Sequence, residues 1–144
     1  MLNKAFVLGG RAVFTVEVPA DAQARSESKP HYTYRVASFQ ATNGTTLYSV
    51  SLLAGPDNES DYQYLGMLDV STGNVRTTAK SRFADTTAPV KLVRWALAHL
   101  WKDAALPNGF KAHHEGRCAR CGRTLTTPES VERGFGPECF GKVA

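Results

Sequence analysis

HYTYRVASFQATNGTTLYSVSLL, residues 31–53, decides the fold class. Tyr32, Tyr34, Val36 and Ser38 recur at every second place, the period of a strand with one covered face. Asn43-Gly44 then supplies a tight-turn signal into a second extended run over 45–53, so the stretch predicts a β-hairpin. Working outward, residues 62–70 predict another strand, with Tyr62, Tyr64 and Gly66 on one face. Turn clusters frame it at 55–58 (GPDN) and 71–74 (STGN), and a short polar strand with Arg76 follows. Upstream, Phe6, Leu8, Ala12, Phe14, Val16 and Val18 recur at even steps around Gly9-Gly10. That pattern predicts one long strand over 2–18, kinked by a glycine bulge or turn, and the small polar residues of 20–30 predict a loop. Four to six antiparallel strands result.

After Asp85 the period changes. Pro89 opens a helical stretch in which Val90, Val93, Leu97, Leu100 and Trp101 form a stripe, while Lys91, Arg94 and Lys102 lie off it, so a helix over about 88–102 should dock on the sheet. The 144 residues suit one compact domain or a small domain with an appendage, and 42% hydrophobic with 21% charged residues disfavours wholesale disorder. The fold class expected is α+β: an antiparallel β-sheet or small open barrel with one packed amphipathic helix over 1–105, plus a C-terminal treble-clef-like zinc finger over 111–144. Pro107-Asn108-Gly109 is a natural linker between them. No apolar run approaches the roughly 18 to 20 residues that span a bilayer, and Met1 to Gly10 lacks a signal-peptide layout, so a soluble cytoplasmic protein with no membrane partner is expected.

The finger rests on Cys118-x-x-Cys121 and Cys139. Three cysteines suit no disulfide framework, and a redox pair would follow a strand at a helix N-terminus, a pattern absent before Cys118. Zn²⁺ takes four N/S ligands in tetrahedral geometry, and a C-x-x-C-G turn points two thiolates at one ion, with Gly122 allowing the left-handed turn. Gly136-Pro137 can start a short helix that carries Cys139 in its first turn, where free amides favour a thiolate. A knuckle, a hairpin built from about 122 to 134 and this helix describe the treble-clef-like finger. Position 142 is Lys, so the fourth ligand comes from elsewhere: His114 first, His113 second, with a solvated loop histidine as the alternative for either.

The string HEGRCARCGRTLTTPESVERGFGPEC (114–139) resembles the C-terminal zinc-finger module of a domain-of-unknown-function family of small bacterial, prophage and tailed-phage proteins. LGGRAVFTV (8–16), YTYRV (32–36) and LAGPDNESDYQYLGML (53–68) are similar to phrases of the same proteins. The resemblance implies a phage or prophage origin and a structural Zn²⁺, with Cys118, Cys121, Cys139 and His114 in the matching positions. It is nearly silent about activity.

Charge suggests what the protein touches. The net charge is +4, and residues 1–85 balance eight Lys/Arg against eight Asp/Glu, so the excess cation lies wholly in 86–144. Arg76, Lys80, Arg82, Lys91 and Arg94 around the helix, with Arg117, Arg120 and Arg123 around the knuckle, are candidate nucleic-acid contacts. Tyr32, Tyr34, Tyr48, Tyr62 and Tyr64 are candidate stacking residues. The ordinary alternative is a half-buried sheet face with solvated cations around it. Non-catalytic binding to nucleic acid is the expected function, and a protein adaptor or inhibitor of a host factor is the alternative. A nuclease with His113 as base is a third reading, disfavoured because no carboxylate pair for a catalytic cation is evident near the finger, so no catalytic residue is assigned.

Overall fold

Glycine with a positive φ closes the hairpin at its centre. In the computed structural model, which describes residues 2–26, 28–57 and 60–143, Gly44 stands at φ +85° and Asn43 Oδ1 accepts the Thr45 N–H at 3.0 Å. The turn joins β2 (His31–Gln40) to β3 (Thr46–Leu53), paired from Tyr34↔Leu52 to Gln40↔Thr46. β1 (Arg11–Glu17) pairs with the other side of β2, and β4 (Tyr62–Leu68) and β5 (Val75–Arg76) extend the far side. The sixth strand, β6 (Lys111–His114), comes from the tail and pairs antiparallel with β1. The order is β5-β4-β3-β2-β1-β6, an open antiparallel sheet with β5 and β6 at its edges.

The strand period sorts the faces. Ala12, Phe14 and Val16 of β1, Tyr34 and Val36 of β2, and Val50 and Leu52 of β3 are buried on one face. α3 (Ala88–Trp101) covers that face through Val90, Val93, Ala96 and Leu97, while Leu100 and Trp101 of the stripe read from the sequence are only partly buried against the core. The Tyr34 hydroxyl donates to the Pro89 carbonyl at 2.7 Å, tying the sheet to the start of the helix. The Trp101 indole N–H donates to Val70 at 2.8 Å and ties down its end. Among the described residues no helix is long and apolar enough to cross a membrane.

Two segments depart from expectation. Residues 2–18 do not form one kinked strand: Asn3 caps a helical turn, α1 (Lys4–Val7), by accepting the Phe6 N–H at 2.9 Å, and β1 begins only at Arg11. Helical backbone lets the consecutive Phe6 and Val7 both enter the core, which a strand would forbid. Residues 20–26, expected as a loop, form α2 (Ala20–Ser26), built from the good helix formers of ADAQARS and an Arg25–Asp21 pair at 3.2 Å. Only Ala22 of this helix is buried, so the sequence has almost no apolar stripe to read there.

Phe6 is where the two ends of the chain meet. Its ring stacks on His114 at 4.8 Å between centroids, meets Phe135 edge-on at 6.3 Å, and is fully buried. Phe6→Ala is expected to cost about 3–5 kcal/mol in urea unfolding; a loss below about 1 kcal/mol would mean the tail does not pack on α1.

Candidate metal centre

The C-x-x-C turn is built into the core before any ion is considered. Cys118 N–H donates to the Arg123 carbonyl at 2.8 Å and Gly122 N–H to the Cys118 carbonyl at 2.9 Å, with Gly122 at φ +79°. Arg117 and Thr124 form an isolated antiparallel bridge below the turn. Ala119, fully buried, donates its N–H to Gly134 at 2.8 Å and accepts the Arg11 N–H at 2.7 Å. Gly9 lies so close that a Cβ there would stand 2.8 Å from the Ala119 Cβ, so the turn rests directly on the backbone that leads into β1.

The expected hairpin over 122–134 does not form: of these residues only Thr124 enters a bridge, and its partner Arg117 lies before the knuckle. The second half of that span is α4 (Pro128–Arg133), capped by Thr127, whose Oγ1 accepts the Ser130 N–H at 3.2 Å. Thr and Pro ahead of ESVER are a helix-start signal that the hairpin reading passed over. α4 ends at Gly134, which takes φ +79° with the Phe6 ring where a side chain would be. α5 (Pro137–Val143) follows and carries Cys139, as the sequence leads one to expect.

The three cysteine sulfurs lie within 4.8 Å of one another and could hold a metal ion. Cys118 and Cys139 are buried and Cys121 is exposed, and no disulfide joins them. Three thiolates on one tetrahedral Zn²⁺ stand roughly 3.8 Å apart at a Zn–S distance of about 2.3 Å, so small side-chain adjustments would close the set. Burial pushes the Cys118 thiol up, but backbone N–H groups of Cys121, Gly136 and Arg120 outweigh it and bring the thiol to about 7. Cys121 goes the other way: the Arg123 N–H lowers its thiol, while burial and hydrogen bonds shared with Cys118 and Cys139 raise it. The Arg120 guanidinium reaches Cys139 Sγ at 3.6 Å. Amides and a cation directed at sulfur are the surroundings a metal-bound thiolate needs.

Neither histidine joins the sulfurs. His114, expected as the fourth ligand, lies against Phe6 and accepts the Gly116 N–H on Nδ1 at 3.1 Å, while the Val131 backbone also hydrogen-bonds its ring. Alternation along β6 sends His113 to the opposite face, where Nε2 stands 3.3 Å from Glu17 Oε2. Spacing along the chain suited His114 as a ligand, but its role in the strand points it into the core.

The cationic candidates separate. Arg94 is engaged, donating to Asp85 at 2.6 Å and to the Val75 carbonyl at 2.7 Å. Arg76, Lys80, Arg82 and Lys91 are exposed around β5 and α3, and Arg123 is exposed on the knuckle. Arg117 lines a cleft of about 200 Å³ with Arg11, Arg35, Tyr62, Glu115, Cys121 and Gly122. Arg11 and Arg35 were missed, although both fall in the outward phase of strands whose inward phase was read. Tyr34 is fully buried and cannot stack a base, and burial pushes its phenol pKa up, keeping it un-ionised. The half-buried tyrosines hydrogen-bond through their hydroxyls: Tyr48 donates to the Leu8 carbonyl, Tyr64 bonds Thr78 and Tyr32 accepts from the Lys29 N–H.

Residues 111–144 match the model of a protein family described as a family of unknown function (DUF6011). No curated protein and no solved structure matches the chain.

Cys118→Ser is expected to abolish metal binding, and His114→Phe, which keeps a ring on Phe6, to retain one ion per chain by native mass spectrometry. Loss of the ion in His114→Phe would restore the imidazole as ligand. Burial foremost lowers the His114 pKa below its ordinary 6.5. As pH falls the unfolded chain therefore takes the proton first, and the stability present above about 6.5 is lost below it. The gap in urea midpoint between wild type and His114→Phe should shift in favour of the variant from pH 7 to pH 5.

Proposed function

We propose that this is a non-catalytic, zinc-stabilised binding protein of phage or prophage origin that works in the bacterial cytoplasm, and that its ligand is nucleic acid. Zn²⁺ would be held by Cys118, Cys121 and Cys139, with water in the fourth position, and residues 111–144 would form a treble-clef-like finger. A structural role for the ion is supported by the burial of Cys118 and Cys139 in the same hydrophobic core as Phe6 and Phe135. The metal would tie α5 and the knuckle together where the segment's own apolar residues are few. His113, the base a nuclease would need, is paired with Glu17 at 3.3 Å.

The observation that carries the nucleic-acid reading is the gathering of Arg11, Arg35 and Arg117 in one cleft against Cys121-Gly122. Arg117 belongs to the excess positive charge of the tail, whereas Arg11 and Arg35 come from the charge-balanced first part of the chain, so folding concentrates cations that the sequence keeps apart. Arg120 and Arg123 flank the same turn, and Arg76, Lys80, Arg82 and Lys91 would act as outlying contacts. Sequence preference is not expected, because contacts to phosphates carry no base information.

A protein partner is the second reading. It is favoured by an open groove of about 840 Å³ along the free edge of β6, lined in part by Leu2, Leu106, Phe110, Ala112 and Val131. Fluorescence anisotropy with labelled single-stranded DNA, single-stranded RNA and duplex DNA decides between them. Three phosphate contacts to a single strand should weaken binding about 20-fold between 50 and 200 mM salt. No binding to any of the three at 50 mM would set the nucleic-acid reading aside.

A further inference from the structure

We propose that the groove between α2 and α3 is a nucleobase site, in which one base packs against Trp95 while Lys91 holds its phosphate. The inference rests on the nucleic-acid reading and adds a stacked base to the phosphate contacts.

α3 carries two apolar stripes, and the sheet takes only one. Val90, Val93, Ala96 and Leu97 are buried, whereas Ala88, Leu92 and Trp95, at i, i+4 and i+7, form a second line on a neighbouring face and stay partly open. Across from that line stands α2, with Ala24 and the preceding Val18 on the facing wall. The groove between them has a volume of about 640 Å³, within the roughly 300–1,000 Å³ of small-ligand sites. Phe110, just before β6, also lines it. Its ring meets Trp95 edge to face, 4.7 Å between centroids, so the apolar part of the groove is an aromatic corner.

Shape, polarity and charge select the ligand. Aromatic walls suit the flat face of a base, and every base has such a face. The Trp95 indole N–H makes no hydrogen bond among the described residues and stays open to solvent, and Thr86 adds a hydroxyl to the rim. An apolar peptide side chain seated here would shut the indole N–H away from water with no partner, whereas the edge of a base offers acceptors. Lys91 makes no ion pair and no side-chain hydrogen bond among the described residues. It stands one turn before Trp95, so ammonium and ring share a helix face, as a phosphate and its own base require. Among the described residues no carboxylate lines the groove. Arg25 on the opposite wall is committed to Asp21 at 3.2 Å, and the charge offered to the phosphate is that of Lys91.

Zinc-loaded full-length protein is titrated at 50 mM salt, by fluorescence anisotropy, with a ten-residue oligothymidylate and with an abasic strand of the same length and charge. Wild type, Trp95→Leu, Ala88→Gln, Lys91→Gln and the control Lys102→Gln are compared, with zinc content and circular dichroism verifying that each is folded. Wild type should bind the thymidylate at least about fivefold more tightly than the abasic strand. Trp95→Leu, which removes the ring, and Ala88→Gln, which crowds the groove, should each lose that preference and keep the abasic affinity within about twofold. Lys91→Gln should weaken both strands and reduce the salt dependence by about one phosphate contact, while Lys102→Gln should change neither by more than about twofold. In parallel, thymidine 5′-monophosphate is added to isotope-labelled protein, and the indole N–H signal that Trp95→Leu removes is followed by NMR. Where either strand binds, the comparison of strands decides. Equal binding of the two by wild type, or a preference kept in the folded Trp95→Leu and Ala88→Gln variants, overturns the site and leaves the nucleic-acid reading standing. A Trp95 signal moved by the monophosphate, with neither strand bound, keeps the site and removes that reading. Neither strand bound and the signal unmoved overturns both.

Discussion

Ala119 is bonded on both sides, through its N–H to Gly134 and through its carbonyl to Arg11, and its methyl group is buried against Gly9. A residue between two candidate metal ligands is ordinarily the tip of a solvent-facing loop. Here it is the contact through which the loop, the start of β1 and the turn before α5 hold one another. Leaving any of these backbone groups buried without a partner would cost about 1–3 kcal/mol. The bonds of Ala119 therefore help to place the Cys118–Cys121 turn, and Cys118 and Cys139 belong to the same core as Phe14 and Val36.

Legibility followed the strength of local signals. Asn43-Gly44 and the alternation of 31–40 made β2 and its turn readable, and the stripe from Val90 to Leu97 made α3 readable, because one physical demand governs each. α1 was hidden because Phe6, Leu8 and Ala12 fit a strand period by coincidence, while the deciding cap is one side chain, Asn3. α2 was hidden for the opposite reason, since it buries almost nothing. The triad of cysteines was legible from spacing and residue chemistry. The histidine was not, because whether His114 turns toward sulfur or toward Phe6 depends on β6 pairing with β1, a contact about a hundred residues away in sequence.

The charge pattern has a similar history. Counting placed the positive excess in the last 59 residues, yet the cleft beside the knuckle is lined by Arg117 together with two arginines from the balanced part of the chain. Arg94, by contrast, looked available in sequence and is bonded to Asp85 and to the Val75 carbonyl, where it fixes α3 to β5. A cation count reports electrostatic potential at long range; only the register of β1 and β2 reports which side chains converge.

The pairing of β6 with β1 also bears on synthesis. β1 is translated about a hundred residues ahead of β6, and its outer edge finds its partner only when positions 111–114 have been made. Until then the nascent chain carries a strand edge with open hydrogen-bonding positions, the kind of template that invites neighbouring chains to pair. The strand that seals this edge of the sheet is thus made about a hundred residues after the strand it covers.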